Sequence, residues 1–227
     1  VNLAKNAILK HYKIQSEIGS GSFISSTQVS LDNDANYETF KLGLGARLSR
    51  DETEVKLVGQ GANCQLGGAY LNRGLQHYDT TTSVQHCVPN TTLRELFKGV
   101  LEDESKAVFQ GKIVVQKDAQ KTDAQMTTKT LLLSEGAEVN SKPELEIYAD
   151  DVKCAHGAAS GQLDEKALFY LRSRGVPEPL AKNMMVQSFL QESVDMITNQ
   201  LIKDKIADQI LHSLPANCYL SDEWRRG

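Results

Sequence analysis

The apolar side chains between Val1 and Ala159 come in short runs that polar corners interrupt. Val55 to Val58, Val108 to Val115 and Leu145 to Ile147 are examples. None of these runs keeps the 3.6-residue spacing of an amphipathic helix for long enough to predict one. β-branched residues are frequent in the runs, and Gly, Asn, Asp and Ser occupy the gaps. The pattern therefore predicts many short strands of about 4 to 7 residues.

A faint repeat is superimposed on these runs. Gly-Ala pairs that begin at Gly45, Gly61, Gly136 and Gly157 each lie at the end of a short apolar run. A recurrence of about 20 residues suits one coil of a β-solenoid, in which each coil packs only against its neighbours. The spacing is uneven, since Gly45 and Gly61 lie closer together than Gly136 and Gly157. The repeat therefore favours a β-solenoid as the predicted fold, with a β-sandwich as the second choice.

After Gly161 the pattern changes to one that predicts helices. Asp164 can cap a short helix, and Gly175 can end it in the left-handed conformation. An apolar stripe follows at helical spacing, with a bend expected near Asn199. Its members are Val186, Phe189, Leu190, Ile197, Leu201, Ile202, Ile206, Ile210 and Leu214. We therefore divide the chain into a strand-rich core, 1–161, and a small helical domain, 162–227.

The final residues, after Pro215, do not continue the apolar stripe. We expect this tail, which includes Trp224, to be frayed or bound by a partner. Trp224 is then either an interface anchor or an ordinary tail residue.

Composition and charge narrow the classes of partner. The chain is 40% hydrophobic and 24% charged, as is usual for soluble globular proteins. Its net charge of -4 provides no broad basic surface, so nucleic acid is not an expected partner. Since no long apolar run occurs, we expect no membrane span. The sequence begins with Val1 rather than Met, so we expect a piece of a longer or processed protein and assign no targeting signal from this end.

The four cysteines, Cys64, Cys87, Cys154 and Cys218, are widely separated. Without a Cys-x-x-Cys pair the indication of a zinc knuckle is weak, and reduced cytosolic thiols are the simplest interpretation. No Gly-x-x-x-x-Gly-Lys-Ser/Thr phosphate loop occurs, so we do not expect this chain to be an ATPase. No hydrolytic triad is evident either. The sequence predicts a protein that is not an enzyme.

The stretch from Lys142 to Ala158 carries the most specific chemistry. If it is extended, side-chain alternation places Cys154 and His156 on one face, roughly 7 Å apart along the strand. A thiolate and an imidazole at that spacing can act on one metal atom or one small cluster. The adjacent carboxylates of Asp150 and Asp151 can bind a divalent cation. We prefer the alternative that they cap a turn.

Each member of the Cys–His pair has more than one interpretation. His156 can act as an iron ligand or as a proton carrier, or it can have a structural role in which a corner carbonyl accepts its hydrogen bond. Cys154 can bind iron, can hold sulfur as a thiolate, or can simply pack as a small buried apolar side chain. The residues alone favour a structural role for His156 and leave the alternatives for Cys154 open.

Four segments together resemble the SufB/SufD family of the SUF iron–sulfur cluster assembly system, and its SufD branch most closely. They are Ala107 to Gly111, Lys121 to Met126, Lys142 to Gly157 and Leu168 to Gly175. The resemblance implies a mainly β fold, a right-handed parallel β-helix followed by a small C-terminal helical domain. It also implies a location in the bacterial cytoplasm or the plastid stroma.

The resemblance further implies partners and a shared site. Family members pair through their β-helices, here with SufB, and bind the ATP-hydrolysing subunit SufC through their C-terminal helices. By position, Cys154 and His156 match the residues implicated at a transient iron–sulfur cluster on the SufB interface. No cofactor is expected to be bound stably by the chain alone, and a homodimer of the isolated chain stays open. The candidates for SufC binding are Leu168, Phe169, Tyr170, Arg172, Arg174 and Met185.

One departure from the family pattern separates the branches. SufB is expected to carry a scaffold cysteine after a Thr-Gln pair, whereas the matching place here reads Ala124-Gln125-Met126. A thioether is a poor replacement for a thiolate ligand, so we expect the chain to complete a site rather than build a cluster alone. The alternatives are a SufB-like scaffold paralogue, a stand-alone β-helix enzyme acting on polysaccharide, and a structural adaptor without metal contact.

Arg94 and Lys98 resemble a basic pair inside the β-helix of the family. There they would stabilise an anionic sulfur species. We prefer the alternative that the two residues form a solvated or salt-bridged pair.

Overall fold

The structure is a computed structural model that describes residues 1–16 and 20–214. Pro215, Cys218 and Trp224 therefore lie outside the described residues. The described part contains twelve β-strands followed by three α-helices. The strands are β1 (Asn2–Leu3), β2 (Ile8–Gln15), β3 (Ser22–Leu31), β4 (Asn36–Gly43), β5 (Leu48–Leu57), β6 (Asn63–Asn72), β7 (His77–His86), β8 (Thr92–Leu101), β9 (Lys106–Val115), β10 (Asp123–Leu132), β11 (Glu138–Ile147) and β12 (Lys153–Gly161). The helices are α1 (Glu165–Ser173), α2 (Glu178–Val194) and α3 (Gln200–Ser213).

The strands form two six-stranded parallel sheets. Sheet A has the order β1-β3-β5-β7-β9-β11, and sheet B has the order β12-β10-β8-β6-β4-β2. The chain therefore alternates between the sheets and adds one coil at a time, with residues of successive coils stacked in register. This is a parallel β-solenoid followed by helices, and the predicted fold class is confirmed.

The predicted coil length and strand length are wrong. Register partners lie 26 to 32 positions apart, as Ser22 with Leu48 and Lys106 with Glu138 show. Most strands are ten residues long. Each coil holds one strand of each sheet, so it exceeds the expected 20 residues. The Gly-Ala pairs do not report the coil length, because they are not structurally equivalent. Gly61 lies in a corner, whereas Gly157 lies within β12.

Helix α1 begins at the cap that the sequence predicts. The Asp164 carboxylate accepts hydrogen bonds from the backbone N–H groups of Lys166, at 2.8 Å, and Ala167. After α1, Gly175 has a φ of +86°, a conformation that glycine adopts without strain. The expected bend near Asn199 is a complete break, because the Asn199 side chain caps the start of α3.

Helices α2 and α3 pack on the outer face of sheet B. Phe40, Leu71 and Val100 of the sheet share one buried cluster with α2 and α3 residues such as Leu190 and Ile206. The predicted apolar stripe is therefore largely buried, as amphipathic helices on a sheet require. Its member Leu201 is an exception, because it is 76% exposed.

Polar contacts of Lys98 hold α2 on sheet B. It lies on the outer face of β8 beneath the helix, where its side chain is only 3% exposed. Its ammonium pairs with Glu192, donates to the Phe189 carbonyl at 2.9 Å and lies 4.2 Å from the Phe189 ring centroid. Arg94 also faces outward and binds Asp123 through both carboxylate oxygens. Our preferred interpretation of a salt-bridged pair is therefore supported: alternation along β8 points Arg94 and Lys98 outward rather than into the β-helix, and both form salt bridges.

Replacing Lys98 by methionine should lower the free energy of unfolding by about 2 kcal/mol, since buried hydrogen bonds of charged groups are lost. Urea unfolding of the chain measures this. Lys129→Met is the matched control, because Lys129 also approaches Glu192, at 3.5 Å, but is 41% exposed. Its loss should lower stability by less than about 1 kcal/mol. Equal effects of the two variants would contradict the fastening role of Lys98.

Candidate functional site

The candidate site lies at the end of the solenoid. In the described residues, β12 is the last strand of sheet B and pairs with β10 alone. Cys154 is in register with Ala124, and His156 is in register with Met126. Ala124 and Met126 are at most 1% exposed and face the interior. Cys154 and His156 therefore lie on the same, inward-facing side of the last strand.

Both side chains reach the surface because no described coil covers them. His156 is exposed, whereas Cys154 is half-buried and packs against the hydrophobic cluster of the solenoid interior. The two groups are neither on opposite sides of the sheet nor enclosed. A second macromolecule approaching this end can contact both.

Burial sets the protonation state of Cys154. Partial burial raises the pKa of its thiol, a hydrogen bond with the Ala124 backbone opposes that rise, and the Asp123 carboxylate adds to it. Asp123 is itself held by Arg94 at 2.7 and 3.0 Å. The free thiol is therefore protonated at neutral pH, and a thiolate would form only as a metal or an acceptor takes its place.

Few other potential metal ligands lie near Cys154 and His156. Within residues 1–16 and 20–214, no group of three or more His, Cys, Asp or Glu side chains is arranged to hold a metal ion. Met126 brings a thioether into the same inward column, one coil below His156. A cluster is usually held by four ligands, so Cys154 and His156 are a partial set.

The acidic pair before β12 forms part of a corner. Asp151 pairs with Lys121 of the preceding coil, and its backbone N–H donates to the Gln120 side chain at 2.9 Å. The Lys121 N–H donates back to the Asp151 carbonyl at 2.7 Å. These contacts agree with our preferred interpretation of a capped turn.

The other described cysteines and His86 have structural surroundings. Cys64 is fully buried, which raises the pKa of its thiol well above the ordinary value. Cys87 is half-buried. His86 contacts the Thr91 hydroxyl at 2.7 Å, and burial lowers its pKa to about 4, so the ring is neutral. None of the three lies beside Cys154 or His156 in the register of the strands.

A polar network inside the solenoid escaped the sequence analysis. Lys41 binds Asp51 and Thr53, and the Thr82 hydroxyl donates to Glu95 at 2.7 Å. Burial lowers the pKa of Lys41 to about 7 and raises the pKa of Glu95 to about 7.

The network does not extend to the candidate site. In the inward column of sheet B, Met126 lies between Glu95 and His156. The apolar side chain of Met126 therefore separates the two.

A second surface of interest lies on the helices. Phe169 and Tyr170 of α1 are 72% and 57% exposed, and Met184 of α2 is 45% exposed. The Arg174 guanidinium lies 5.3 Å from the Tyr170 ring centroid, which orders the aromatic ring. We call Phe169, Tyr170 and Arg174 the α1 aromatic patch.

The remaining helical candidates are distributed unevenly. Arg172 is exposed and pairs with Glu178 at 3.3 Å, and Met185 is half-buried. Leu168 is only 7% exposed and lines a groove between α1, α2 and the ends of β6, β8 and β10. Its side chain therefore presents little surface to a partner.

No helix among the described residues combines the length and the apolar character that crossing a bilayer requires.

Comparisons with known proteins identify relatives. Residues 1–189 match the family described as "SUF system FeS cluster assembly, SufBD core domain". The chain is 35% identical to the iron–sulfur cluster assembly protein SufD of Escherichia coli K12, covering 95% of this chain and 51% of that protein. It is 33% identical to an iron–sulfur cluster assembly SufBD family protein of Synechocystis, covering 87% and 44%. It is 34% identical to the chloroplastic protein ABCI7 of Arabidopsis thaliana, covering 92% and 44%. The chain thus spans about half the length of these relatives.

Proposed function

Because this chain belongs to the SufBD core family of the SUF system, we propose that it is a non-catalytic subunit of the machinery that assembles iron–sulfur clusters. The cluster is the cargo of this machinery and is held only in transit. The observation that carries the proposal is the shared inward face of Cys154 and His156 at the uncovered end of the solenoid. The protein would work in the bacterial cytoplasm or the plastid stroma.

The site is completed by a second solenoid of the SufB type. Cys154 contributes a thiol and His156 an imidazole, and the partner contributes the remaining ligands, including the scaffold thiolate whose place Met126 takes here. The same partner excludes water from the half-exposed pair.

The edge of β12 is the natural docking surface for that partner. Ala155, Gly157 and Ala159 alternate with the inward residues along it, so no long charged side chain of β12 obstructs a partner strand beyond Lys153. Proline, by contrast, interrupts the other end strand, β11, at Pro143. A partner that pairs with β12 brings its own side chains over Cys154 and His156.

The energy for cluster assembly comes from a separate ATPase of the SufC type. We place its docking surface on the α1 aromatic patch, with Arg172 and Met185 beside it. Exposed aromatic and arginine side chains are the residues most enriched at the centres of protein interfaces. ATP hydrolysis would then act on the solenoid through α1 and α2, of which α2 is held on sheet B by Lys98.

Co-expression with a SufB-type protein and a SufC-type ATPase tests the shared site. After anaerobic reconstitution, we expect the assembled complex to show the visible absorption of an iron–sulfur cluster. The chain alone should hold far less than one cluster per molecule, because it supplies a partial ligand set. A stoichiometric cluster on the isolated chain would overturn the shared site, and a complex that forms without any cluster signal would overturn the assignment to assembly.

Disrupting the α1 aromatic patch should release the ATPase. Phe169→Ala combined with Tyr170→Ala removes the exposed rings and should weaken binding of the SufC-type subunit by about 100-fold or more, equal to roughly 3 kcal/mol. Isothermal calorimetry with the purified ATPase measures this. The control is Leu201→Ala, which removes an apolar side chain of similar exposure, 76%, from α3. Unchanged affinity of the double variant would show that the ATPase docks elsewhere.

A further inference from the structure

The last turn of α2 lies over two lysines of sheet B. Lys98 of β8 and Lys129 of β10 are register partners on the outer face of the sheet. Neighbouring strands lie about 4.8 Å apart, so the two like charges repel each other. Glu192, two residues before the end of α2, offers one carboxylate oxygen to each lysine: Oε2 pairs with Lys98, and Oε1 lies 3.5 Å from Nζ of Lys129. One negative charge therefore offsets the repulsion between two positive charges.

The position of Glu192 is unfavourable for the helix itself. The C-terminal end of a helix carries partial negative charge, which repels an acidic side chain in the last turn. The last turn of α2, which the structure describes completely, contains no basic residue to offset that charge. The two lysines of sheet B supply the offset instead: they lower the pKa of Glu192, and Lys98 makes the largest contribution. The carboxylate is therefore placed for the sheet rather than for the helix.

Helix α2 connects this ionic contact with α1 and with the candidate site. At its other end, Glu178 pairs with Arg172 of α1 at 3.3 Å. The 17 residues of the helix span about 25 Å. On the sheet, Lys129 is in register with Ala159 of β12, the strand that carries the candidate site. A displacement of α1 can therefore reach β10 and β12 through the rigid body of α2.

We propose that Glu192, Lys98 and Lys129 form an ionic lock between α2 and sheet B, and that Glu192 is the positioning residue through which the helices act on the candidate site. In the closed lock, one carboxylate holds the two lysines beneath the last turn of α2. When the helix is displaced, the lysines lose their shared counter-charge, and their repulsion favours the displaced position. The lock is a property of this chain alone, whereas its action on the candidate site rests on the proposed function.

Hydrogen exchange of the α2 backbone amides in the purified full chain tests the lock. Glu192→Gln removes the shared charge and should raise the exchange rates at the end of α2 about tenfold. Adding Lys129→Met should lower them again, roughly two- to fivefold, because the repulsion on Lys98 is removed. In the wild-type background, Lys129→Met should instead raise the rates slightly, because Lys129 also attracts Glu192 there. If Lys129→Met did not slow exchange in the Glu192→Gln background, the lock would be refuted.

A salt bridge without a second lysine is the matched control. Lys112 pairs with Glu146 at 2.7 Å on the outer face of sheet A, and its register partners are Ser83 and Glu144. Adding Lys112→Met to Glu146→Gln should therefore not slow the exchange of the β9 amides. Slowing of the same size in this control would mean that the removal of any unpaired lysine has this effect, and would overturn the lock.

The complex with the ATPase of the proposed function tests the action on the candidate site. In the wild-type complex, the exchange rates of β10 and β12 should differ between the ATP-bound and the ADP-bound states. Glu192→Gln should lose most of that difference, and Glu192→Asp, which keeps the charge, should retain part of it. Both variants should bind the ATPase with unchanged affinity in calorimetry, because Glu192 lies outside the α1 aromatic patch.

The outcomes separate the lock from the proposed function. A difference that persists in full in Glu192→Gln, or that is absent from the wild-type complex, would overturn the action of Glu192 on the candidate site. Failure of the wild-type chain to bind the ATPase would overturn both that action and the proposed docking surface. The lock itself would then still stand or fall on the exchange rates of the isolated chain.

Discussion

Replacing His156 by alanine should abolish cluster delivery in cells while leaving the fold and ATPase binding intact. His156 is exposed at the solenoid end, so its loss removes no buried contact. Loss of partners that merely orient a metal ligand lowers metal affinity about 10- to 100-fold, so loss of a ligand itself should have at least that effect. Growth of a strain that depends on the plasmid-borne protein, together with the activity of an iron–sulfur enzyme in its extract, measures delivery.

Two variants separate a ligand role of His156 from a structural one. His156→Cys keeps a side chain that can bind iron and should retain part of the delivery, whereas His156→Asn should behave like the alanine variant. Lys153→Ala alters the opposite face of β12 and should deliver clusters normally. Normal delivery by His156→Ala would refute the shared site, and equal loss in Lys153→Ala would indicate a general defect of the strand.

The sequence predicted the solenoid because parallel coils place apolar residues at strand spacing. It misjudged the coil length because polar residues also point inward. Asp51 and Thr53 occupy buried positions of β5, next to the apolar Val55 and Leu57. An apolar run therefore covers only half of the strand, and the strand length predicted from the sequence is too short. Lys41, inside the apolar run of β4, was the available signal of this polar interior.

The candidate site was more predictable than the surfaces around it. Alternation along one strand suffices to place Cys154 and His156 on one face, and it applies regardless of the partner strands. Placing Lys98 required knowing which face of sheet B the helices cover, and placing Leu168 required knowing which side of α1 is covered. Both are tertiary facts that local spacing does not contain.

Replacing Gly99 by alanine should have the largest effect on stability. A Cβ at this position would lie 1.9 Å from Cζ of Tyr70. The Tyr70 ring cannot move freely, because it is stacked on Tyr78 at 4.9 Å and its hydroxyl lies 2.9 Å from that of Thr130. Overpacking and loss of that hydrogen bond should together lower the free energy of unfolding by about 4 kcal/mol, measured by urea unfolding.

A matched glycine and a compensating variant make the Gly99 prediction specific. Gly157→Ala, in a strand of the same sheet, meets no atom within 4 Å and should change stability by less than about 1 kcal/mol. Adding Tyr70→Leu to Gly99→Ala should recover part of the loss, because the smaller side chain vacates the space that the methyl group needs. If Gly99→Ala were as mild as Gly157→Ala, the Tyr70 ring would be able to move aside, and its contacts with Tyr78 and Thr130 would not hold it in place.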